Sequence, residues 1–130
     1  MAQITINIQT LDWTMGETVG LHLILKKGSK ARIAWGDGKV QVVTGKQEPA
    51  SEKLAWVEAG HSYPEKGVNY TITICSEEED AIIGFNGCGM FEVKTLDVIL
   101  TECPNLRILG YSGYGEEKLD VSKNPLLEFI

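Results

Sequence analysis

Two histidines and three cysteines carry most of the reactive chemistry open to this chain of 130 residues. His22 sits in an alternating run, opposite the apolar positions, and His61 belongs to a His-Ser-Tyr turn. For both, a surface or hydrogen-bonded structural role outweighs a catalytic one. A thiol–imidazole hydrolase needs the two groups in contact and a third group to orient them. No local spacing joins either histidine to Cys75, Cys88 or Cys103. The cysteines form no C-x-x-C pair, so a zinc site or a dithiol redox motif lacks support. An odd count leaves at least one thiol unpaired within the chain. Cys103 occupies an apolar position and reads as a small buried hydrophobe. Cys75 follows a strand pattern and Cys88 lies among glycines, which leaves the redox state of both open.

No G-x-S-x-G elbow, H-E-x-x-H helix or phosphate-cradling G-x-x-x-x-G-K-[ST] loop occurs. Asp37 lies in a glycine turn, but one carboxylate is far short of the roughly six to eight oxygens that calcium takes. The 18 acidic residues show no spacing that would mark a carboxylate pair and read as a solvated surface. No catalytic, cofactor-binding or metal-ligating residue is therefore assigned. Aromatic side chains offer contact instead of reaction. Trp13 and Tyr114 fall in loop or bend positions and are the better candidates for stacking on a ligand. Trp56 and Tyr111 read as core.

Composition narrows the partners. A net charge of −6 repels a phosphate backbone, which argues against nucleic acid. Hydrophobic residues at 43% supply an ordinary globular core. No apolar run approaches the roughly 20 residues of a membrane-spanning helix, and the N-terminus has neither the basic nor the apolar stretch of a signal peptide. Fourteen glycines and four prolines imply many turns.

The elements that must position these groups are short strands. Ile4, Ile6 and Ile8 alternate with Thr5 and Asn7; Val19, Leu21, Leu23 and Leu25 with Gly20, His22 and Ile24; Ala31, Ile33 and Trp35 alternate again, as do Val40 and Val42; Tyr70, Ile72 and Ile74 alternate with Thr71 and Thr73; Leu54 to Ala59 is a looser run. Period-two patterning marks strands with one buried face. Met15-Gly16-Glu17, Lys27-Gly28-Ser29 and Gly36-Asp37-Gly38 punctuate the runs, and Asp-Gly favours a hairpin. About six such strands point to an antiparallel sandwich.

Two motifs carry a resemblance over roughly residues 2–75: Trp35-Gly36-Asp37-Gly38-Lys39-Val40, and His61-Ser62-Tyr63 followed by Gly67 and Tyr70-Thr71-Ile72-Thr73-Ile74. Together they resemble the polycystic-kidney-disease-type (PKD) domain, a small immunoglobulin-like sandwich with a W-x-F-G-D-G-like turn, an H-x-Y and a final T-Y-T-V-T strand. The first motif is shortened here to W-G-D-G. The resemblance implies an extracellular, non-catalytic spacer or binding module, and the Gly16-Glu17-Thr18-Val19 opening looks like a bacterial branch. Gly36 and Gly38 are expected to take positive φ, Trp35 to anchor the core, and Tyr63 to tie a loop to the sheet through its hydroxyl.

The remainder repeats itself. Cys103-Pro104-Asn105-Leu106-Arg107-Ile108-Leu109 returns about 21 residues later as Asn124-Pro125-Leu126-Leu127-Glu128-Phe129-Ile130, a solenoid period. Leu119-Asp120-Val121-Ser122-Lys123-Asn124-Pro125-Leu126-Leu127 resembles the short bacterial leucine-rich repeat, over about residues 82–130. Tyr114 departs from it at the ladder asparagine, and Ile99-Leu100-Thr101 adds length. The resemblance implies inward leucines, with Asn124 satisfying backbone groups at the bend. Residues 76–81 form an acidic junction: Ser76-Glu77-Glu78-Glu79-Asp80 is either a solvated linker or a short helix with capping-box spacing. Gly84-Phe85-Asn86-Gly87-Cys88-Gly89 reads as tight turns. About three repeats are usually needed to close a core and this chain has barely two. The tail should therefore pack on the sandwich, or belong to a longer array.

The expectation is thus a mainly β chain: an immunoglobulin-like, PKD-like sandwich (residues 1–75), the junction, and a short leucine-rich-repeat solenoid (residues 82–130) packed against it. The expected function is non-catalytic recognition of protein or glycan on a bacterial surface or in secreted form, with no cofactor. An accessory or spacer role beside a secreted hydrolase is the alternative, and a small cysteine-dependent enzyme the least favoured.

Overall fold

A computed structural model describes residues 1–11, 19–89, 93–110 and 120–129. The chain is all-β, and no helix occurs among the described residues, so none is long and apolar enough to cross a membrane. Among the described residues ten strands follow one another: β1 (Ala2–Thr10), β2 (Val19–Leu25), β3 (Lys30–Ala34), β4 (Val40–Thr44), β5 (Trp56–His61), β6 (Asn69–Ser76), β7 (Ile82–Gly89), β8 (Val93–Glu102), β9 (Ile108–Gly110) and β10 (Glu128–Phe129). They form two five-stranded sheets, ordered β4-β3-β6-β1-β8 and β10-β9-β7-β2-β5.

The alternation read from the sequence is the alternation of burial except in β4, where the expected inward residues Val40 and Val42 are exposed and Gln41 and Val43 turn in. Along β1 every second residue is buried, so Ile4, Ile6 and Ile8 face inward while Gln3, Thr5 and Asn7 face out. β6 pairs with β1 antiparallel, Ile4 opposite Ile74 and Ile6 opposite Ile72, which aligns their apolar faces. A one-residue slip would turn every one of these isoleucines to the other face, so the register is strongly specified. Trp35, Leu21, Leu23, Leu25 and Ile33 join the same core, as do Phe85, Leu100, Cys103, Leu106 and Leu109 from the tail. Each fully buried aliphatic of this kind contributes on the order of 1.5–3 kcal/mol of transfer free energy.

The sheets do not divide at the acidic junction. β7 pairs with β2, and β8 pairs with β1 as an edge strand of the first sheet, so strands from beyond residue 81 complete both layers. The junction itself is neither a helix nor a loose linker. Lys26 Nζ lies 2.6 Å from Glu78 and 2.9 Å from Asp80, and Ser29 Oγ donates to Glu78 at 3.3 Å, which pins the turn to the end of β2. Ser76, the expected helix cap, is instead the last, buried residue of β6.

Residues 84–89 are strand β7 and not tight turns. The glycines serve close approach: a Cβ on Gly84 would lie 2.8 Å from Ile24 Cδ1, and one on Gly110 would lie 2.6 Å from the Asn86 side chain. The described glycines with positive φ are Gly28, Gly36, Gly38 and Gly67, all between strands.

The tail coils. From β7 in the second sheet the chain crosses to β8 in the first and returns as β9, parallel to β7, with Gly84 opposite Ile108 and Phe85 opposite Leu109. β10 then lies parallel to β9, Glu128 opposite Ile108. The same two turn bonds form twice. Cys103 N–H donates to Leu100 O (3.1 Å) and Leu106 N–H to Cys103 O (3.3 Å). Asn124 N–H donates to Val121 O (3.0 Å) and Leu127 N–H to Asn124 O (3.2 Å). Tyr111 and Tyr114 lie outside the described residues.

Candidate functional site

The two N-terminal motifs meet in space. Trp35 follows β3, and the turn after it is closed by Gly36 at φ 95° and Gly38 at φ 92°. A Cβ on Gly36 would also come within 2.6 Å of Thr71 O, so only glycine fits. Asp37 accepts a bond from Lys39 N–H at 3.2 Å and lies 2.7 Å from His61 Nε2 at the end of β5. His61 stacks on Trp35 with centroids 5.1 Å apart and meets the Tyr63 ring edge-on at 4.8 Å. Tyr63 donates its hydroxyl to Trp35 O at 2.7 Å and stacks on Tyr70 at 4.5 Å.

The electrostatics of this cluster are those of a clasp. Burial pushes the Asp37 carboxyl up, but the bonds from His61 and Lys39 N–H outweigh it, and the group is held below the ordinary carboxylate range. Burial, with Asp37 nearby, drives the Tyr63 phenol well above its ordinary range, so it stays a neutral donor. The sequence placed Asp37, His61, Trp35 and Tyr63 in two motifs; their contact across 24 to 28 residues is a product of the fold.

The thiols lie elsewhere. Cys75 is on the outward row of the first sheet, opposite Gln3 and Arg32, and its thiol donates to Gln3 Oε1 at 3.2 Å. Both histidines are on the second sheet. Cys103 is buried in the core, where desolvation pushes its thiol up to about 12. The Cys88 side chain lies outside the described residues. His22 is partly exposed on β2, 3.9 Å from Glu58. Among the described residues no three of His, Cys, Asp and Glu converge as metal ligands would.

The opposite end of the first sheet is open. A depression of about 630 Å³ has Met1, Val42 and Cys75 in its lining, with Lys30 and Arg32 contributed by β3 and Glu77 and Glu78 by the junction. Lys30 and Arg32 are exposed and make no ion pair among the described residues. A second, shallower depression of about 490 Å³ shares Met1 and continues past Gln3 and Glu102 to Pro104 and Lys123 in the tail. Trp35 is buried, Trp56 half-buried, and Trp13 lies outside the described residues. The sequence did not mark this surface, because its residues come from Met1, the β2–β3 turn, β3, β4, β6 and the junction, and only the fold assembles them.

In the tail, Asn124 does at the bend what its position suggested. Its buried amide donates to Leu100 O at 3.0 Å and Cys103 O at 2.8 Å. Arg107 and Glu128 lie 3.3 Å apart on the surface of the β9–β10 step.

The chain matches no protein-family model, no curated protein and no solved structure.

Proposed function

We propose that this chain is a non-catalytic recognition module of a secreted or surface-exposed bacterial protein, with protein preferred over glycan as its ligand. The sandwich is read as PKD-like, supported by the W-G-D-G turn and by the tie from Tyr63 to Trp35 O. The tail is read as a short leucine-rich-repeat coil, supported by the parallel step from β7 to β9 to β10 and by the amide of Asn124.

One observation carries the reading. At one end of the first sheet the ionisable and aromatic side chains bond to one another; at the other, Arg32 and Lys30 stand unpaired over partly apolar lining. Cations with no ion-pair partner among the described residues, set beside apolar lining on a chain of net charge −6, offer a partner a local attraction. An acidic or amphipathic protein segment fits that chemistry.

The test is a binding screen against protein and glycan arrays, run with the chain and with Arg32→Glu. The reading expects binding to a subset of proteins and a loss of at least about tenfold in the variant. Uniform silence on both arrays would move the assignment to a spacer beside another domain.

A further inference from the structure

A sheet edge is a row of unpaired backbone N–H and C=O groups, and proteins usually guard such edges with charge, proline, bulges or brevity. Among the described residues the two sheets have four edges, and three of them follow that rule. β8 carries exposed Asp97 and Glu102 and two register shifts against β1. β5 carries exposed Glu58, and β10 is two residues long. β4 is different. Its sequence Val40-Gln41-Val42-Val43-Thr44 has no charge and no proline, and it pairs with β3 over five consecutive positions without a bulge. Val40 and Val42 are 46% and 57% exposed.

The backbone of this edge can be oriented. Gly45 N–H donates to Ser29 O at 2.7 Å, and Trp35 N–H donates to Lys39 O at 3.0 Å. In an antiparallel ladder, hydrogen-bonded pairs alternate with non-bonded ones. The groups of Gln41 and Val43 therefore turn toward β3, and those of Val40, Val42 and Thr44 turn to the free edge. The residues with open backbone groups are the ones with exposed side chains.

We propose that β4 is a self-association edge, on which a second copy of this chain adds antiparallel about a two-fold axis at Val42. That axis sets Val42 against Val42 of the other copy, and Val40 against Thr44. Each of these residues has its free backbone groups on the edge, so the pairing is self-complementary and supplies about six hydrogen bonds. It also places the exposed valines of both copies side by side on the outward face, with no charge among them, and joins the two first sheets into one. An unrelated strand could use the same backbone groups; a second copy is chosen because the uncharged row of Val40, Val42 and Thr44 meets its own image with no like charges opposed. A contact of two five-residue strands buries less than the roughly 1,200–2,000 Å² of a standard interface. The expected dimer is therefore weak, with a Kd of about 10 μM or above. The inference does not depend on the recognition reading.

Sedimentation equilibrium of the whole chain up to about 1 mM tests it, with amide hydrogen exchange read by NMR at the same concentrations. The expected result is a reversible monomer–dimer equilibrium. Protection should rise with concentration at Val40, Val42 and Thr44, while Gln41 and Val43 stay protected throughout. Val42→Pro removes an N–H that β3 does not use and should abolish dimerisation while far-UV circular dichroism is kept. Val42→Lys adds the missing guard and should do the same, which keeps the test intact if the proline variant fails to fold. A chain that is monomeric at every concentration overturns the proposal and leaves the edge to a foreign strand. So does a dimer indifferent to a folded Val42 variant, or one that protects other amides.

Discussion

The two ends of the first sheet solve opposite problems with similar residues. Near the end of β3, Asp37, His61, Trp35, Tyr63 and Tyr70 bond to and stack on one another. Near its start, Lys30, Arg32 and Cys75 line an open depression, and both cations stand without an ion-pair partner among the described residues. A closed network fixes a hairpin to the sandwich and offers little to a ligand. An open one adds little to stability and can be recruited by a partner.

That contrast can be broken by mutation, and the closed end should be the more sensitive. Trp35→Ala removes a fully buried indole along with the stack on His61 and should cost about 3–5 kcal/mol, read by urea denaturation. Asn124→Ala tests whether the tail has a clasp of its own. It leaves the carbonyls of Leu100 and Cys103 without a buried donor and should cost about 1–3 kcal/mol by the same measurement. Tyr63→Phe deletes one hydroxyl, strands the Trp35 carbonyl, and should cost about 1–2 kcal/mol.

Acid provides a milder probe. The Asp37 carboxyl is held below the ordinary range in the folded chain, so its unfolded pKa is the higher of the two. Its contribution is complete above the ordinary carboxylate pKa of about 3.9 and is lost as pH falls through the depressed folded value. Stability measured against pH should drop below about pH 4, and Asp37→Asn should flatten that drop. The smallest effect is expected at the open end. Arg32→Glu should change stability by no more than about 0.5 kcal/mol while altering binding. A large loss of stability there would mean that the two ends do not differ as described.

Much of the first sheet was legible in residue order. Ile4, Ile6, Ile8, Ile72 and Ile74 announce buried faces because a strand has a period of two and an isoleucine gains by leaving water. The turn glycines Gly36 and Gly38 were legible because a tight turn demands positive φ. Gly84 to Gly89 were misread for a related reason. Glycine signals backbone freedom and backbone approach alike, and only the neighbours, here Ile24 and Asn86, tell which one applies. The acidic run at Glu77 to Asp80 carried a helix-cap spacing, but Lys26, some fifty residues earlier, holds it as a pinned turn. The tail showed its 21-residue return plainly. That β8 would leave the coil's sheet and close the edge of the first sheet beside β1 was not visible.

Local pattern therefore determined the all-β character, most of the strands, the inward faces of β1, β2, β3 and β6 though not of β4, and the role of Asn124, since each follows from the preference of a side chain or turn for its immediate surroundings. Which strands lie side by side depends on contacts between residues far apart in the chain. Only the tertiary structure brought His61 to Asp37, set Arg32 beside Cys75 and Val42, and left β4 as an unguarded edge. Pairing energy is collected between strands, and a linear sequence records the strands without recording their neighbours.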